Sequence, residues 1–143
     1  MIYTGNFSSI KQYGIRRLVS IARFPPKWAR VESCMELAPY PKMLKMGPAE
    51  YIQEYKKILI RLDPQDIQAK YEGAVLLCYE KYDESIEKTI QNESIQDIIL
   101  EVTKYPDLFC HRHLVSRWLN HAGIKCQELV KEKDVSKVQF DLF

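Results

Sequence analysis

One run of seven residues, Gly73-Ala74-Val75-Leu76-Leu77-Cys78-Tyr79, limits the fold of this chain more than any other stretch. A strand with one wet face alternates polar and apolar side chains, and this run does not alternate. A helix rarely buries so short a run on every side. The run is therefore expected to be a central strand of a parallel sheet covered on both faces.

The flanking patterns agree with that sheet. Met1 to Thr4 is short and β-prone, and Gly5-Asn6 supplies turn chemistry. Ser8 or Ser9 can cap a brief helix through Gln12, which Gly14 stops. Arg17 to Ala22 reads as a second buried strand, closed by Pro25-Pro26. Lys27 to Pro48 lacks periodicity and is expected to be a long loop with at most a helical turn. Loops of that length are usually functional.

From Ala49 to Leu62, apolar residues recur at three-and-four spacing, the mark of an amphipathic helix. Asp63-Pro64 ends it and can open a short second helix. Glu84 to Thr103 is expected to be helical with a break near Asn92-Glu93-Ser94. Tyr105-Pro106-Asp107 should begin another helix, stopped by Gly123, and Ile124 to Val130 a last strand. Strands alternating with helices define an α/β class: a small open, mainly parallel sheet flanked by helices. The expected organisation is one domain over 1–130, with a helical insertion near 83–105 and a tether over 131–143.

Composition narrows the class further. The chain has 143 residues and is 46% hydrophobic, enough for a core without metal or disulfide staples. Lysine plus arginine number 21 against 19 acidic residues, a net +2 that does not mark a nucleic-acid binder by charge alone. Four scattered cysteines form no C-x-x-C pair, which suits a reducing compartment. The N-terminus has no signal-peptide pattern, and no apolar run is long enough to span a bilayer. A soluble cytoplasmic protein with no membrane partner is the expectation.

Ligands of open parallel sheets bind beyond the carboxyl ends of the strands. The polar residues just past each expected strand are therefore the candidates. They are Asn6; Arg23 with Lys27 and Trp28; and Glu80. Cys110, His111 and Arg112 lie near the start of the following helix. Free N–H groups at a helix start favour anions and lower a thiol's pKa, and an arginine there adds bidentate phosphate recognition. Glu80 suits a general base or water-positioning group, and Trp28 a stacking surface. Cys78 reads as an inert core residue, and Glu80 can equally be a salt-bridge partner of Arg23 or Arg112. Cys110 and His113 are spaced C-x-x-H, and Cys78 or Cys126 can complete a metal set. Zinc sites usually show two clean pairs, so no metal is expected.

The last five residues, Gln139-Phe140-Asp141-Leu142-Phe143, resemble the bacterial sliding-clamp-binding pentapeptide. In that pattern Leu142 and Phe143 fill an apolar pocket and Gln139 gives orienting hydrogen bonds. The alternative is a terminal strand or hook packed on its own domain.

Four segments carry a further likeness. Ile2-Tyr3-Thr4-Gly5-Asn6-Phe7, Leu18 to Arg23 followed by Pro25, Leu76-Leu77-Cys78-Tyr79-Glu80-Lys81, and Phe109-Cys110-His111-Arg112-His113-Leu114-Val115 through Leu119 together resemble the family designated domain of unknown function 488. The last two segments are the specific ones, and the likeness spans Ile2 to about Val130. The sequence departs from the family pattern twice. Ser20-Ile21-Ala22-Arg23 lacks the aspartate that often precedes that arginine, and Tyr82 to Asp107 separates two segments usually close together.

The resemblance implies an α/β fold and a shared site in proteins of bacteria and their phages, without supplying a reaction or a cofactor. With the clamp-like tail, it favours an enzyme acting on a nucleic acid or nucleotide at a phosphate or glycosidic bond. Arg23 and Arg112 would hold phosphate, Glu80 would activate water, His111 would move a proton, and Cys110 would be nucleophile or polar support. The alternative is a non-catalytic phosphate or nucleotide module tethered to the clamp.

Overall fold

The computed structural model describes residues 1–130. Five strands form one all-parallel sheet: β1 (Ile2–Asn6), β2 (Leu18–Ser20), β3 (Glu32–Ser33), β4 (Val75–Cys78) and β5 (Cys126–Glu128). Their order across the sheet is β3-β2-β4-β1-β5. β4 is central, as its unbroken apolar run requires. Tyr3 pairs with Val75 and Asn6 with Cys78 on one side, and Leu18 with Val75 on the other. All four residues of β4 are buried.

The five α-helices are α1 (Pro48–Leu59), α2 (Pro64–Tyr71), α3 (Glu84–Asn92), α4 (Ile95–Lys104) and α5 (His111–His121). Local chemistry sets their ends. Asp63 accepts from the Gln65 N–H at 2.9 Å to open α2, and Asp83 accepts from the Ile86 N–H at 2.9 Å to open α3. Ser94 caps α4 through the Asp97 N–H, which divides the helical stretch at the expected Asn92–Ser94 break. Gly123 follows α5 at φ 81°, a conformation that glycine adopts without a Cβ clash.

The two faces of the sheet are covered unequally. Leu76 and Cys78 of β4 join the larger cluster, with apolar residues from all five helices. Val75 and Leu77 join a smaller one with Phe7, Tyr13 and Ala22. Strand alternation assigns the clusters to opposite faces. Among the described residues, the α-helices therefore lie on one face, and a 3-10 turn at Phe7–Gln12 covers part of the other. Gly5 is required on that side, because a Cβ there would overlap the Tyr13 ring. The Tyr13 hydroxyl accepts from the Asn6 N–H at 2.9 Å.

Three elements differ from the sequence expectation. The expected loop over 27–48 contains β3, whose exposed Glu32 and Ser33 extend the sheet edge beside β2, and 3-10 turns at Met35–Leu37 and Pro41–Lys45. Two polar residues offer no alternation to read. The helix expected from Tyr105 is split into a 3-10 turn, Pro106–Leu108, and α5, because Phe109 is extended between them. β2 and β5 are shorter than their apolar patterns, since β2 with β4 and β5 with β1 pair over only three residues each. No helix among the described residues is long and apolar enough to cross a membrane.

Candidate functional site

Topology places a crevice between β2 and β4. The connection from β2 leads outward to β3, while that from β4 passes over β1 to β5. Adjacent strands whose connections diverge leave a gap at their carboxyl ends, where ligands of such sheets bind. A pocket of about 240 Å³ lies there. Ala22, Arg23 and Phe24 line it after β2, and Tyr79 and Glu80 after β4. Phe109, Cys110 and His111 come from the approach to α5, and Tyr51 from α1. The stretch from Pro39 to Met46 supplies the remaining wall.

Each polar group in the pocket is held by a specific contact. The Arg23 Nε–H donates to the Pro39 carbonyl at 2.7 Å, fixing a half-buried guanidinium at the wall. The Tyr79 hydroxyl donates to the Phe24 carbonyl, and the Tyr79 ring meets Phe7 edge-on at 4.9 Å. His111 is buried, with its Nε2 2.7 Å from the Ile21 carbonyl oxygen. A carbonyl only accepts, so Nε2 carries the proton and Nδ1 keeps a lone pair. Burial pushes the imidazole down to about 4, helped by Arg112 and opposed by the Ile21 hydrogen bond. The neutral ring packs edge-on against Tyr55 at 5.2 Å.

Glu80 is half-buried at the end of β4. Burial raises its proton affinity most, Arg112 opposes that, and Asp107 adds to it. Burial likewise raises the Tyr51 phenol, with Glu80 contributing. The pocket thus combines a carboxylate, a guanidinium and a neutral imidazole with the rings of Phe24, Tyr51, Tyr79 and Phe109.

The structure brings together Arg23, Glu80, Cys110 and His111 of the expected site. Arg112 occupies a different place from the one expected. Its side chain is 0% exposed and forms an ion pair with Glu128, itself 2% exposed, at 2.8 Å. Nη1 donates to the Glu80 carbonyl at 2.7 Å and lies 3.5 Å from the Cys78 sulfur. The guanidinium is thus spent on protein partners behind the pocket, and it cannot take the phosphate role expected of it. Successive helix residues turn by about 100°, so a helix start cannot aim His111 and Arg112 the same way.

Other expected contributors lie elsewhere. Asn6 is buried and its Oδ1 accepts from the Ser8 hydroxyl at 2.6 Å. It does not line the pocket. Lys27 and Trp28 are exposed, Trp28 at 65%, and neither lines the pocket. The turn in which the Ala29 N–H donates to the Pro26 carbonyl carries them away from it. Phe24 and Tyr79 stand where a stacking ring was expected of Trp28. Gln139, Leu142 and Phe143 lie outside the described residues.

Sequence reasoning passed over Glu128, and it joined Cys78 to Cys110 only as one of two ways to complete a metal set with His113. Glu128 shares the inward parity of Cys126 in a strand, an unusual position for a carboxylate and the only available signal. It also accepts from the Thr4 hydroxyl at 2.6 Å. Cys78 is not an isolated core residue: its sulfur meets that of Cys110 in disulfide contact, with Cα atoms 7.0 Å apart. One ligand atom each from Cys78, Cys110 and His111 lie within 4.8 Å of one another. His113, the member expected from the C-x-x-H spacing, is buried away from this group. Neither of its ring nitrogens has a hydrogen-bond partner among the described residues.

Fold and site together define an all-parallel α/β domain with a mixed polar and aromatic pocket at a divergence of strand connections. No family model, curated protein or solved structure matches the chain.

Proposed function

We propose that this pocket takes a nucleotide or a nucleic-acid end and that the chain cleaves it at a phosphate or glycosidic bond. One observation carries the reading: a guanidinium and a carboxylate, Arg23 and Glu80, line a single pocket whose rim holds the exposed rings of Phe24 and Tyr79. A guanidinium recognises phosphate, and aromatic faces stack on bases. Arg23 anchors the phosphate group. Glu80 accepts a proton from the attacking water, whose oxygen bonds to the substrate as the bond to the leaving group breaks, and the leaving group takes its proton from solvent water. Arg112 is a positioning residue that acts through the Glu80 carbonyl.

The experiment pairs binding with turnover. Equilibrium binding of mono- and dinucleotides, and chromatography of nucleotides and short oligonucleotides after incubation, are compared across three proteins. Glu80→Gln should lower turnover by about 10²–10⁴-fold with little change in affinity. Arg23→Ala should weaken binding by roughly 10–100-fold. Turnover by Glu80→Gln equal to the parent's overturns the assignment of the base. Binding without any turnover in the parent favours the alternative of a non-catalytic module.

A further inference from the structure

We propose that Cys78, Cys110 and His111 form a site for one zinc-class divalent cation, with its remaining position open to the pocket. The three residues come from the end of β4 and the start of α5, and their ligand atoms lie within 4.8 Å of one another. Two thiolates and an imidazole are the donor types that zinc selects, and a three-ligand set keeps one position for water or substrate. Cys110 and His111 line the pocket, as Glu80 does, while Cys78 does not.

The contact between the two sulfurs admits a second reading, a Cys78–Cys110 disulfide. Three observations favour the cation. The Cα atoms are 7.0 Å apart, beyond the roughly 4.4–6.8 Å usual for disulfides. His111 joins the sulfurs in a way no disulfide needs. Its Nε2–H is tied to the Ile21 carbonyl at 2.7 Å, the outer hydrogen bond that orients a metal-binding histidine and leaves Nδ1 to the ion. Arg112 Nη1 approaches the Cys78 sulfur at 3.5 Å, a contact suited to a thiolate acceptor.

Charge balances at such a site. Arg112 is already neutralised by Glu128. Two buried thiolates with one dication add no net charge to the interior. A cation with an open position lowers the pKa of bound water toward about 7. That water would stand in the pocket that Glu80 also lines.

The test uses the full chain, reduced and purified without a polyhistidine tag. Metal analysis should find about one zinc per chain. Co2+ added to the metal-free chain should produce the intense visible bands of a tetrahedral ion and thiolate-to-cobalt charge transfer in the near ultraviolet. Zn2+ should remove both. Cys34→Ser should leave the spectrum intact, while Cys110→Ser and His111→Gln should weaken cobalt binding by more than about 100-fold.

If those variants fail to fold, the titration of the parent chain still decides. Absence of the tetrahedral and charge-transfer bands in the reduced parent overturns the proposal. So does their persistence in Cys110→Ser, or a parent that yields only a linked Cys78–Cys110 peptide and no cobalt spectrum after reduction. None of these readouts uses a nucleotide, so the cation site and the nucleotide reading fail separately.

Discussion

Arg112 and Glu128 form a fully enclosed ion pair between α5 and β5, in which Nε and Nη2 reach the two carboxylate oxygens at 2.8–3.2 Å. Thr4 donates to the same carboxylate, and the third guanidinium nitrogen holds the Glu80 carbonyl and approaches Cys78. One buried ion pair therefore ties together β1, β4, β5 and the loop that carries the candidate base.

Removing one member of such a pair strands a charge in the interior. Arg112→Ala and Glu128→Ala should each cost about 3–5 kcal/mol. In a chain of this length that lowers the thermal midpoint by on the order of 10 °C. The joint replacement Arg112→Met with Glu128→Leu leaves no charge unpaired and should recover much of the loss. Thermal and urea unfolding of the three variants measure this. An Arg112→Ala midpoint within a degree of the parent's would contradict the enclosure of the pair.

The same residue shows how far sequence reaches. The run at Val75–Cys78 reveals a central parallel strand because full burial removes every polar residue from it. Arg23 and Glu80 are readable as site residues because they lie three residues beyond β2 and two beyond β4. That rule decays quickly with distance along the chain. Lys27 and Trp28 are only slightly further on, yet a single turn after Pro25-Pro26 sends them to the surface. Arg112 fails for a different reason. A helix start specifies a position, while the direction of each side chain depends on which strand lies beneath it, here β5 with Glu128. The meeting of Cys78 with Cys110 depends on how far α5 is set back by the extended Phe109, which no local pattern encodes.

The terminal pentapeptide makes a separate prediction, because its test is independent of the pocket. The full chain should bind a bacterial sliding clamp, and a labelled peptide ending Gln139-Phe140-Asp141-Leu142-Phe143 should compete for the same surface. Leu142→Ala with Phe143→Ala removes two apolar anchors, each worth roughly 1.5–3 kcal/mol when buried. Affinity should fall by about 100-fold or more. Fluorescence anisotropy of the peptide against the clamp measures this. Undiminished binding by the double variant would detach the tail from this role.

Glu87, half-buried on α3, offers a pH-dependent check on the packing around the same ion pair. Burial raises its proton affinity most; Glu128 adds to the rise, and Arg112 opposes it. Its folded pKa lies above the unfolded value of about 4.3. The folded state therefore binds the proton more tightly, and stability is lost as pH rises through the folded pKa. Above the folded pKa the side chain is ionised in both states and the folded one bears the penalty. Glu87→Gln removes that penalty, so its thermal midpoint should exceed the parent's at pH 7. Below about pH 4 both side chains are neutral and the two midpoints should converge. A difference that widens on acidification, read from paired melts at the two pH values, would mean that the Glu87 carboxylate is stabilised rather than penalised by its surroundings.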